Sequence, residues 1–348
     1  MRLPVEFVST IRPKYEGRTV CVTGGAGFIG GHMVDALLSL GATIQVIDDL
    51  STSSLEHLAE LIDLDPQRVR FTHGSILDSS ATGQAVEGAD AVFHLAAVGS
   101  VPLSMKEPRR TFAVNSTGTV AVLEAARAVG VKRLVFASSS SVYGAGETAA
   151  PGGGGPSPDA PRVETMPLCP ISPYGASKLA AEGALRAWAA AYAMQTVCLR
   201  YFNVFGPRQD PDSPYAAVIP AFIKRCLNGE SPVIFGDGRH ARDYTYVANV
   251  VAANLLAGVT DNAAVIRGSP VNIAAGVRTD LLELARLVGE RCGTVGTPEF
   301  RPERAGDIRV SSADIGLARR ALGYQPFTSL ADGLTETVQW YRRALAGI

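Results

Sequence analysis

The sequence predicts an α/β protein with a doubly wound parallel sheet and a smaller, interleaved C-terminal lobe. Short apolar runs rich in β-branched residues alternate with helical stretches, the rhythm of parallel strands joined by crossover helices. A glycine-rich turn lies between the first strand and the first helix. After about residue 204 the alternation loosens and Pro, Gly and Arg become more frequent, which indicates the second lobe. Ligands of such a sheet bind at the carboxyl ends of its strands.

The individual elements follow in order along the chain. Residues 1–17 are expected to form an irregular extension. The predicted strands are RTVCVTGG, ATIQVIDD, VRFTHGSI, ADAVFHLAA, RLVFASSS and TVCLRYFNVFG. Helical spacing appears in AGFIGGHMVDALLSLG, STGTVAVLEAARAVG and SPYGASKLAAEGALRAWAAAYA. The Gly- and Pro-rich residues 145–167 are expected to form a flexible surface loop.

Composition narrows the classes of function. The 348 residues are 47% hydrophobic and 19% charged, which is ordinary for a globular enzyme. The net charge of −1 gives no basic field for nucleic acid or an anionic membrane. Five cysteines occur without a CxxC pair, and the five histidines show no metal spacing, so neither a disulfide framework nor a metal site is expected. A charged N-terminus and the lack of a long apolar run favour a cytoplasmic protein.

The segment TGGAGFIG (23–30) has the pattern of a dinucleotide-binding turn. Gly24 permits the tight turn, Gly27 lets the backbone approach a pyrophosphate, and Gly30 lets helix and strand pack closely. The N-terminus of the helix then faces the phosphates. Asp48 ends the next strand at the spacing of a ribose-binding carboxylate, which favours NAD over NADP, and Asp49 is a second candidate for that role. The alternatives are a tight turn without a ligand and, for Asp48, a helix cap.

A tyrosine and a lysine four residues apart form the second motif. Ser172 is a good N-cap and Pro173 suits the first helical position, so a helix is predicted to begin there. Tyr174 and Lys178 then lie on one face, where an ammonium lowers the pKa of a phenol and fits it for proton transfer. An exposed tyrosine beside a solvated lysine is the usual interpretation of such a pair. The preceding segment ASSSSVYG and the upstream glycine turn favour the catalytic interpretation.

Together, TGGAGFIG, FHLAA, ASSSSVYG, YGASK and LRYFNVFGPRQDP resemble the extended short-chain dehydrogenase/reductase family, from about Arg18 to the C-terminus. The most similar branch is that of the NAD-dependent nucleotide-sugar 4-epimerases. The resemblance implies that Ser139 hydrogen-bonds the reacting 4-hydroxyl, that Tyr174 takes and returns its proton, and that Lys178 holds the phenolate and the nicotinamide ribose. The resemblance further implies that hydride passes from C4 to NAD+ and returns to the other face of the sugar.

Ser140 and Ser141 distinguish the possible reactions. Related 4,6-dehydratases have Asp and Glu at these positions, and related UDP-glucuronate decarboxylases usually have Glu at the second. A serine hydroxyl cannot abstract a carbon-bound proton at neutral pH. The serines therefore argue against dehydration and weaken the case for decarboxylation, which leaves epimerisation.

The resemblance implies a Rossmann-type NAD-binding domain over residues 18–202 and 245–275. Its cofactor-binding residues are expected to be Gly24, Gly27, Phe28, Ile29, Gly30, Asp48, Asp49, Ser53, Ser75, Ile76, Leu95, Ala96, Ala97, Asn115, Tyr174, Lys178 and Tyr201. Ser75 stands where relatives have an adenine-binding aspartate, which should weaken adenine recognition, although Ile76 can still pack on the ring. Asn115 is expected near the cofactor or as a helix cap, with a purely structural role as the alternative.

The nucleotide-sugar-binding lobe is expected over residues 203–244 and 276–348. The substrate-binding residues implied by the resemblance are Gly99, Ser100, Ser138, Ser139, Ser140, Asn203, Ala217, Val218, Arg242, Arg304, Asp307 and Ser311. Asn203, Arg242 and Arg304 are expected at the diphosphate, where two guanidinium groups give bidentate donors. Ser311 matches the position that limits pocket size, and its small side chain should admit an N-acetyl group. Arg208 is interpreted as a surface residue.

The sequence therefore indicates an NAD-dependent UDP-hexose 4-epimerase, with UDP-GlcNAc/UDP-GalNAc favoured and UDP-Glc/UDP-Gal also accepted. The alternative enzyme is a UDP-glucuronate 4-epimerase or decarboxylase. The alternative from another class is a catalytically silent NAD-binding regulatory protein, against which the intact Ser139, Tyr174 and Lys178 argue. The resemblance also implies a homodimer formed through helices within residues 111–130 and 179–193.

Overall fold

The computed structural model describes residues 3–144, 159–211, 217–294, 296–303 and 308–347. Its central sheet has seven strands, in the order β10-β6-β5-β4-β1-β2-β3. All six neighbouring pairs are parallel. The strands are β1 (Thr19–Thr23), β2 (Thr43–Asp48), β3 (Val69–His73), β4 (Ala91–His94), β5 (Arg133–Ser139), β6 (Gln195–Tyr201) and β10 (Arg267–Ile273). The predicted parallel α/β sheet is confirmed.

Helices cover both faces of this sheet. They are α1 (Val5–Ile11), α2 (Phe28–Ser39), α3 (Glu56–Leu64), α4 (Ser79–Val86), α5 (Val101–Lys106), α6 (Pro108–Phe112), α7 (Thr119–Ala128), α8 (Pro173–Tyr192), α9 (Val218–Leu227), α10 (Val247–Val259), α11 (Leu281–Cys292), α12 (Gly316–Leu322) and α13 (Leu330–Ala346). Side chains of β5 alternate between two apolar clusters: Val135 joins the cluster of α2 and α10, while Leu134 and Phe136 join the cluster of α4, α7 and α8. The strands are apolar on both sides because both sides are covered.

A smaller set of strands lies toward the C-terminus. They are β7 (Asn203–Phe205), β8 (Val233–Phe235), β9 (Ala241–Tyr246), β11 (Arg278–Asp280), β12 (Glu299–Arg301) and β13 (Val310–Ser311). β9 pairs with β11, β13 and β7, and β8 pairs with β12. Between β9 and β11 the chain returns to the central sheet as β10, so the two parts of the fold are interleaved in sequence.

The N-terminal segment differs from the expected irregular extension. It forms α1 followed by a 3₁₀ turn over Arg12–Lys14. Ile11 and Tyr15 are buried, and the Tyr15 hydroxyl donates a hydrogen bond to the Leu255 carbonyl at 2.7 Å. Apolar packing on the core therefore orders a helix of seven residues, which is too short to be stable alone.

Two further expectations concern the Gly- and Pro-rich segment and membrane-spanning helices. Residues 145–158 of the predicted Gly- and Pro-rich loop lie outside the described residues. Within the described ranges, no helix is both long and apolar enough to cross a membrane.

Candidate active site

The glycine turn between β1 and α2 is shaped for close backbone approach. Gly24 has φ +71°, and a Cβ atom there would lie 2.6 Å from the Ala96 nitrogen. A Cβ atom on Gly30 would lie 2.0 Å from the Gly24 carbonyl oxygen. Gly27 is the N-cap residue of α2, with no side chain of the described residues capping this helix start. The N–H groups of the first turn, from Phe28 and Ile29 onward, therefore suit the pyrophosphate of a dinucleotide.

Asp48, at the end of β2, is bound to the same turn. Its Oδ2 accepts a hydrogen bond from the Ala26 nitrogen at 3.0 Å, and its Oδ1 accepts from the Leu50 nitrogen at 2.9 Å and from Ser53 Oγ at 3.2 Å. Asp49 is exposed and accepts a local bond from the Ser51 nitrogen at 3.0 Å. Asp48 is therefore the carboxylate that the fold holds beside the glycine turn, as a ribose site requires.

The loop after β4 completes this end of the sheet. The Ala96 nitrogen donates to Thr23 Oγ1 at 3.2 Å, which fixes Leu95, Ala96 and Ala97 against the glycine turn.

Tyr201, at the end of β6, donates its hydroxyl to Asn254 Oδ1 at 2.9 Å. That hydroxyl is consequently engaged within the protein.

The expected packing of Ile76 on adenine does not fit the structure. Its side chain is 4% exposed and is turned into the core, so close to Gly118 that a Cβ atom there would be 2.6 Å from Ile76 Cδ1. Ser75 Oγ accepts a hydrogen bond from the Leu77 nitrogen at 3.3 Å and stabilises the local turn.

Asn115 is neither a helix cap nor open to a ligand. It lies in a π-helical stretch, Ala113–Gly118, between α6 and α7. Its Oδ1 accepts from the Val98 nitrogen at 2.8 Å, and its Nδ2 donates to the Val98 carbonyl at 3.2 Å and to Ser177 Oγ at 3.0 Å. Asn115 thus joins the loop after β4 to α8, and any effect on the site acts through the position of those elements.

The predicted catalytic residues meet at the end of β5. The Ser172 side chain caps α8 by accepting a hydrogen bond from the Gly175 nitrogen at 3.1 Å, as predicted. Tyr174 lies in the first turn of α8 and forms a side-chain hydrogen bond with Ser139, the last residue of β5. Lys178, one turn later, is buried and donates from Nζ to the Ala137 carbonyl at 2.7 Å.

Burial controls the proton affinities of this pair. Burial raises the pKa of Tyr174, and the hydrogen bond with Ser139 opposes that shift. Burial lowers the pKa of Lys178 to about 7, and the negative charge of Glu182 opposes that shift. The expected lowering of the phenol pKa by Lys178 does not fit this structure, because desolvation of the phenol dominates and the ammonium is bonded to Ala137.

The four serines have different surroundings. Ser138 is buried and donates to Glu182 Oε1 at 2.5 Å, a carboxylate that is also paired with Arg200 at 2.7 Å. Its expected place in the sugar pocket does not fit, since alternation along β5 turns it to the α8 side of the sheet. Ser139 Oγ donates to Ser141 Oγ at 3.1 Å. Ser140 opens a 3₁₀ turn, Ser140–Tyr143, so two hydroxyl side chains follow Ser139 at the positions where the resemblance implies acids in related dehydratases.

Strand register brings three of the expected substrate residues to one face of the smaller sheet. Arg242 of β9 lies opposite Ser311 of β13, and Asn203 of β7 lies opposite Tyr244, two residues further along β9. Residues directly opposite each other or two apart share a face. The Arg242 guanidinium donates to the carbonyls of Ala241 at 3.0 Å and Arg309 at 3.3 Å.

The remaining substrate residues are more dispersed. Arg304 and Asp307 lie outside the described residues. Ala217 precedes α9 and Val218 opens it. Gly99 is exposed, and the Ser100 side chain caps α5 by accepting from the Leu103 nitrogen at 3.2 Å.

Arg208 is not the surface residue that the sequence indicated. Its side chain is 21% exposed, and it forms an ion pair with Asp35 of α2. The two residues lie 173 positions apart in sequence, so no local pattern indicates this contact. Arg208 also has φ +67°, a backbone conformation that few residues other than glycine adopt.

Comparisons with known proteins agree with this geometry. The profile of the NAD dependent epimerase/dehydratase family matches residues 20–274. A UDP-glucose 4-epimerase of Mycolicibacterium smegmatis is 39% identical over 92% of this chain and 97% of its own. The structure of a UDP-glucose 4-epimerase from Thermotoga maritima with UDP-glucose superimposes with a TM-score of 0.84 at 38% identity, covering 94% of this chain and 99% of that one. A UDP-N-acetylglucosamine 4-epimerase from Methanobrevibacter ruminantium, in complex with UDP-N-acetylmuramic acid, gives a TM-score of 0.85 at 36% identity and the same coverage.

Proposed function

The chain belongs to the NAD-dependent epimerase/dehydratase family, and on that premise we propose that it interconverts the C4 epimers of a UDP-sugar. It is an isomerase of the extended short-chain dehydrogenase/reductase type with NAD as its cofactor. The observation that carries the reaction type is the end of β5: Ser139 bonds Tyr174 there, and serines occupy positions 140 and 141. A proton-transfer pair is present without a neighbouring carboxylate at either position to remove a carbon-bound proton.

Each residue of the proposed site has a separate role in the reaction. The glycine turn and Asp48 would hold NAD, which would supply the acceptor and donor of the hydride. Tyr174 takes the proton of the sugar 4-hydroxyl and gives it back, while Ser139 orients that hydroxyl. Lys178, one helical turn after Tyr174, fixes the end of β5 through Ala137 and, with a pKa of about 7, gains and loses a proton near neutral pH.

We assign UDP-GlcNAc and UDP-GalNAc as the favoured substrate pair, with UDP-glucose and UDP-galactose also accepted. The shared face of Asn203, Arg242 and Ser311 supports this assignment, because it joins diphosphate donors to a small side chain at the sugar end. A size difference at one position discriminates substrates by about 1–3 kcal/mol. Both pairs are therefore expected to react, with the acetamido sugars ahead.

We also propose a cytoplasmic homodimer formed through α7 and α8. These two helices pack on each other in the structure, and their ends carry the half-exposed apolar residues Val129 (45% exposed) and Tyr192 (51% exposed). Light scattering coupled to size-exclusion chromatography should give twice the 36.5 kDa chain mass, and a 36.5 kDa particle would contradict the proposal.

The test of the reaction is proton NMR of the anomeric region after separate incubation with UDP-GlcNAc, UDP-glucose and UDP-glucuronate. A 4-epimer is expected from the first two. Tyr174→Phe should lower the rate by about 10²–10⁴-fold, whereas Tyr192→Phe, which keeps the ring at the other end of the same helix, should leave it unchanged. A 4-epimer from UDP-glucuronate alone would overturn the substrate assignment, and a pentose product would overturn the interpretation of Ser141.

A further inference from the structure

Arg208 links the part of the chain that follows Asn203 to the cofactor-binding helix. Its Nη2 forms an ion pair with Asp35 Oδ2 and lies 2.7 Å from Nδ1 of His32, and both partners are on α2. The other ring nitrogen of His32 donates to the Pro207 carbonyl at 2.9 Å. Residues 207 and 208 are therefore held to α2 by three polar contacts, one to two turns after the glycine turn.

The geometry of this contact is specific. A Cβ atom on Gly31 would lie 3.2 Å from Arg208 Nη1, so the glycine leaves room for the guanidinium to lie on the helix. Burial and the Arg208 charge lower the pKa of His32 to about 3, so His32 is neutral and accepts through Nδ1. Residues held at φ near +60° without being glycine occur where the surrounding contacts fix them, and such sites cluster at functional positions.

The segment that carries Arg208 also belongs to the substrate side of the fold. It directly follows β7, whose first residue is Asn203 and whose pairing with β9 adjoins that of β13 with Arg242. Gly206 lies against both Phe28 of α2 and Val247 of α10. The Gln209 carbonyl accepts a hydrogen bond from Tyr341 of α13. The four residues Gly206 to Gln209 thus bridge the cofactor helix and the C-terminal elements.

We propose that Arg208 is a positioning residue that couples the two binding sites: its contacts with His32 and Asp35 make the seating of α2 around NAD and the position of Asn203 at the nucleotide diphosphate depend on each other. This inference rests on the proposed function, since it assumes a UDP-sugar at Asn203. Coupling of two ligands is reciprocal, so UDP must strengthen the binding of NAD by the same factor by which NAD strengthens the binding of UDP. Tighter binding of NAD should appear as a slower rate of NAD release. Such retention suits a reaction in which the same NAD must stay bound through each catalytic cycle.

The experiment measures NAD release from the holoenzyme with and without saturating UDP, by rapid desalting and quantification of the retained nucleotide. In the wild-type protein UDP should slow release by about fivefold or more, the lower end of usual coupling. Arg208→Gly removes the guanidinium and suits φ +67°, and it should reduce the UDP effect to less than about twofold. UDP affinity for the holoenzyme, measured by calorimetry, should fall by a similar factor.

The matched control is His57→Ala. His57 of α3 bonds the other oxygen of Asp35 at 2.8 Å and, like Arg208, lies against Gly31. Its side chain is thus bound to α2, whereas Arg208 joins α2 to the segment after β7. Loss of the His57 side chain should leave the UDP effect at its wild-type size. If the UDP effect is lost equally in His57→Ala, general loosening of α2 explains it and the proposal is overturned.

The other possible results of the NAD-release experiment also test the proposal. An Arg208→Gly protein that keeps the full UDP effect overturns the proposal. Should that variant fail to fold, Arg208→Met decides: methionine keeps a long apolar stem but has no N–H to donate to Asp35 or His32, so a reduced UDP effect supports the proposal and an unchanged one overturns it. A wild-type protein that binds no UDP contradicts the proposed function itself, whereas UDP binding without any effect on NAD release contradicts the coupling alone.

Discussion

Lys178 is the residue at which the proposed proton transfer and the pH dependence of stability are linked. Its side chain is 2% exposed, and its ammonium donates to a neutral acceptor, the Ala137 carbonyl, with the Phe136 ring centroid 4.8 Å away. Burial lowers its pKa from an ordinary value of 10.5 to about 7, against the charge of Glu182. Between these two values the unfolded chain binds a proton that the folded protein does not, so stability must rise with pH across that window.

Lys178→Met is expected to reveal this dependence at the scale of a single residue. Relative to the variant, the wild-type protein should gain stability as pH rises from 7 to 10, because the unfolded chain then loses its advantage in binding the lysine proton. Thermal unfolding of both proteins at pH 7, 8, 9 and 10 measures the difference. A constant difference between the two melting temperatures would show that Lys178 has an ordinary pKa in the folded state.

At the scale of the element, the first turn of α8 carries Tyr174, the proposed acid and base, and Ser172 caps that turn. Ser172→Ala should cost about 1 kcal/mol of unfolding free energy and lower kcat as well, since Tyr174 lies two residues into the helix. Ser329 caps α13 in the same way, by accepting from the Asp332 nitrogen at 3.1 Å. Ser329→Ala should lower the unfolding free energy, measured by urea denaturation, by a similar amount and leave kcat unchanged. Equal kcat in both variants would contradict a role for the cap in placing Tyr174.

A second prediction at the scale of the element concerns the glycine turn and the NAD content of the purified protein. Gly30→Ala places a Cβ atom against the Gly24 carbonyl, so α2 must shift and the purified protein should contain little NAD. At Gly83, inside α4, an added Cβ atom would have no atom of the described residues within 4 Å outside its own helix backbone and chain neighbours. Gly83→Ala should therefore stabilise the protein by up to about 1 kcal/mol with full NAD content. Absorbance of the nucleotide released by acid measures both. Full NAD content in Gly30→Ala would show that the turn tolerates a side chain.

At the scale of the whole molecule, local patterns predicted the central sheet and the start of α8. Strand and helix periodicities, the cap at Ser172 and the spacing of Tyr174 and Lys178 all lie within short stretches of sequence. Interactions between distant segments were not predictable in this way. Tyr15 is held by a hydrogen bond to Leu255, and Arg208 is held by an ion pair with α2. Ser138 is held by Glu182, which is itself paired with Arg200. The resemblance to the family implied that Ile76 packs on adenine, yet its packing on Gly118 turns it inward.

The proposed chemistry of the whole molecule is oxidation at C4 without removal of a proton from carbon. Reaction of UDP-GlcNAc and UDP-glucose in D2O, followed by proton NMR of C4 and C5, tests it directly. We expect a 4-epimer that retains protium at both carbons, because Tyr174 exchanges only the hydroxyl proton and Ser140 and Ser141 cannot act as bases. Deuterium at C5, or a 4-keto-6-deoxy product, would show that the chain removes a carbon-bound proton and that the proposed reaction is wrong.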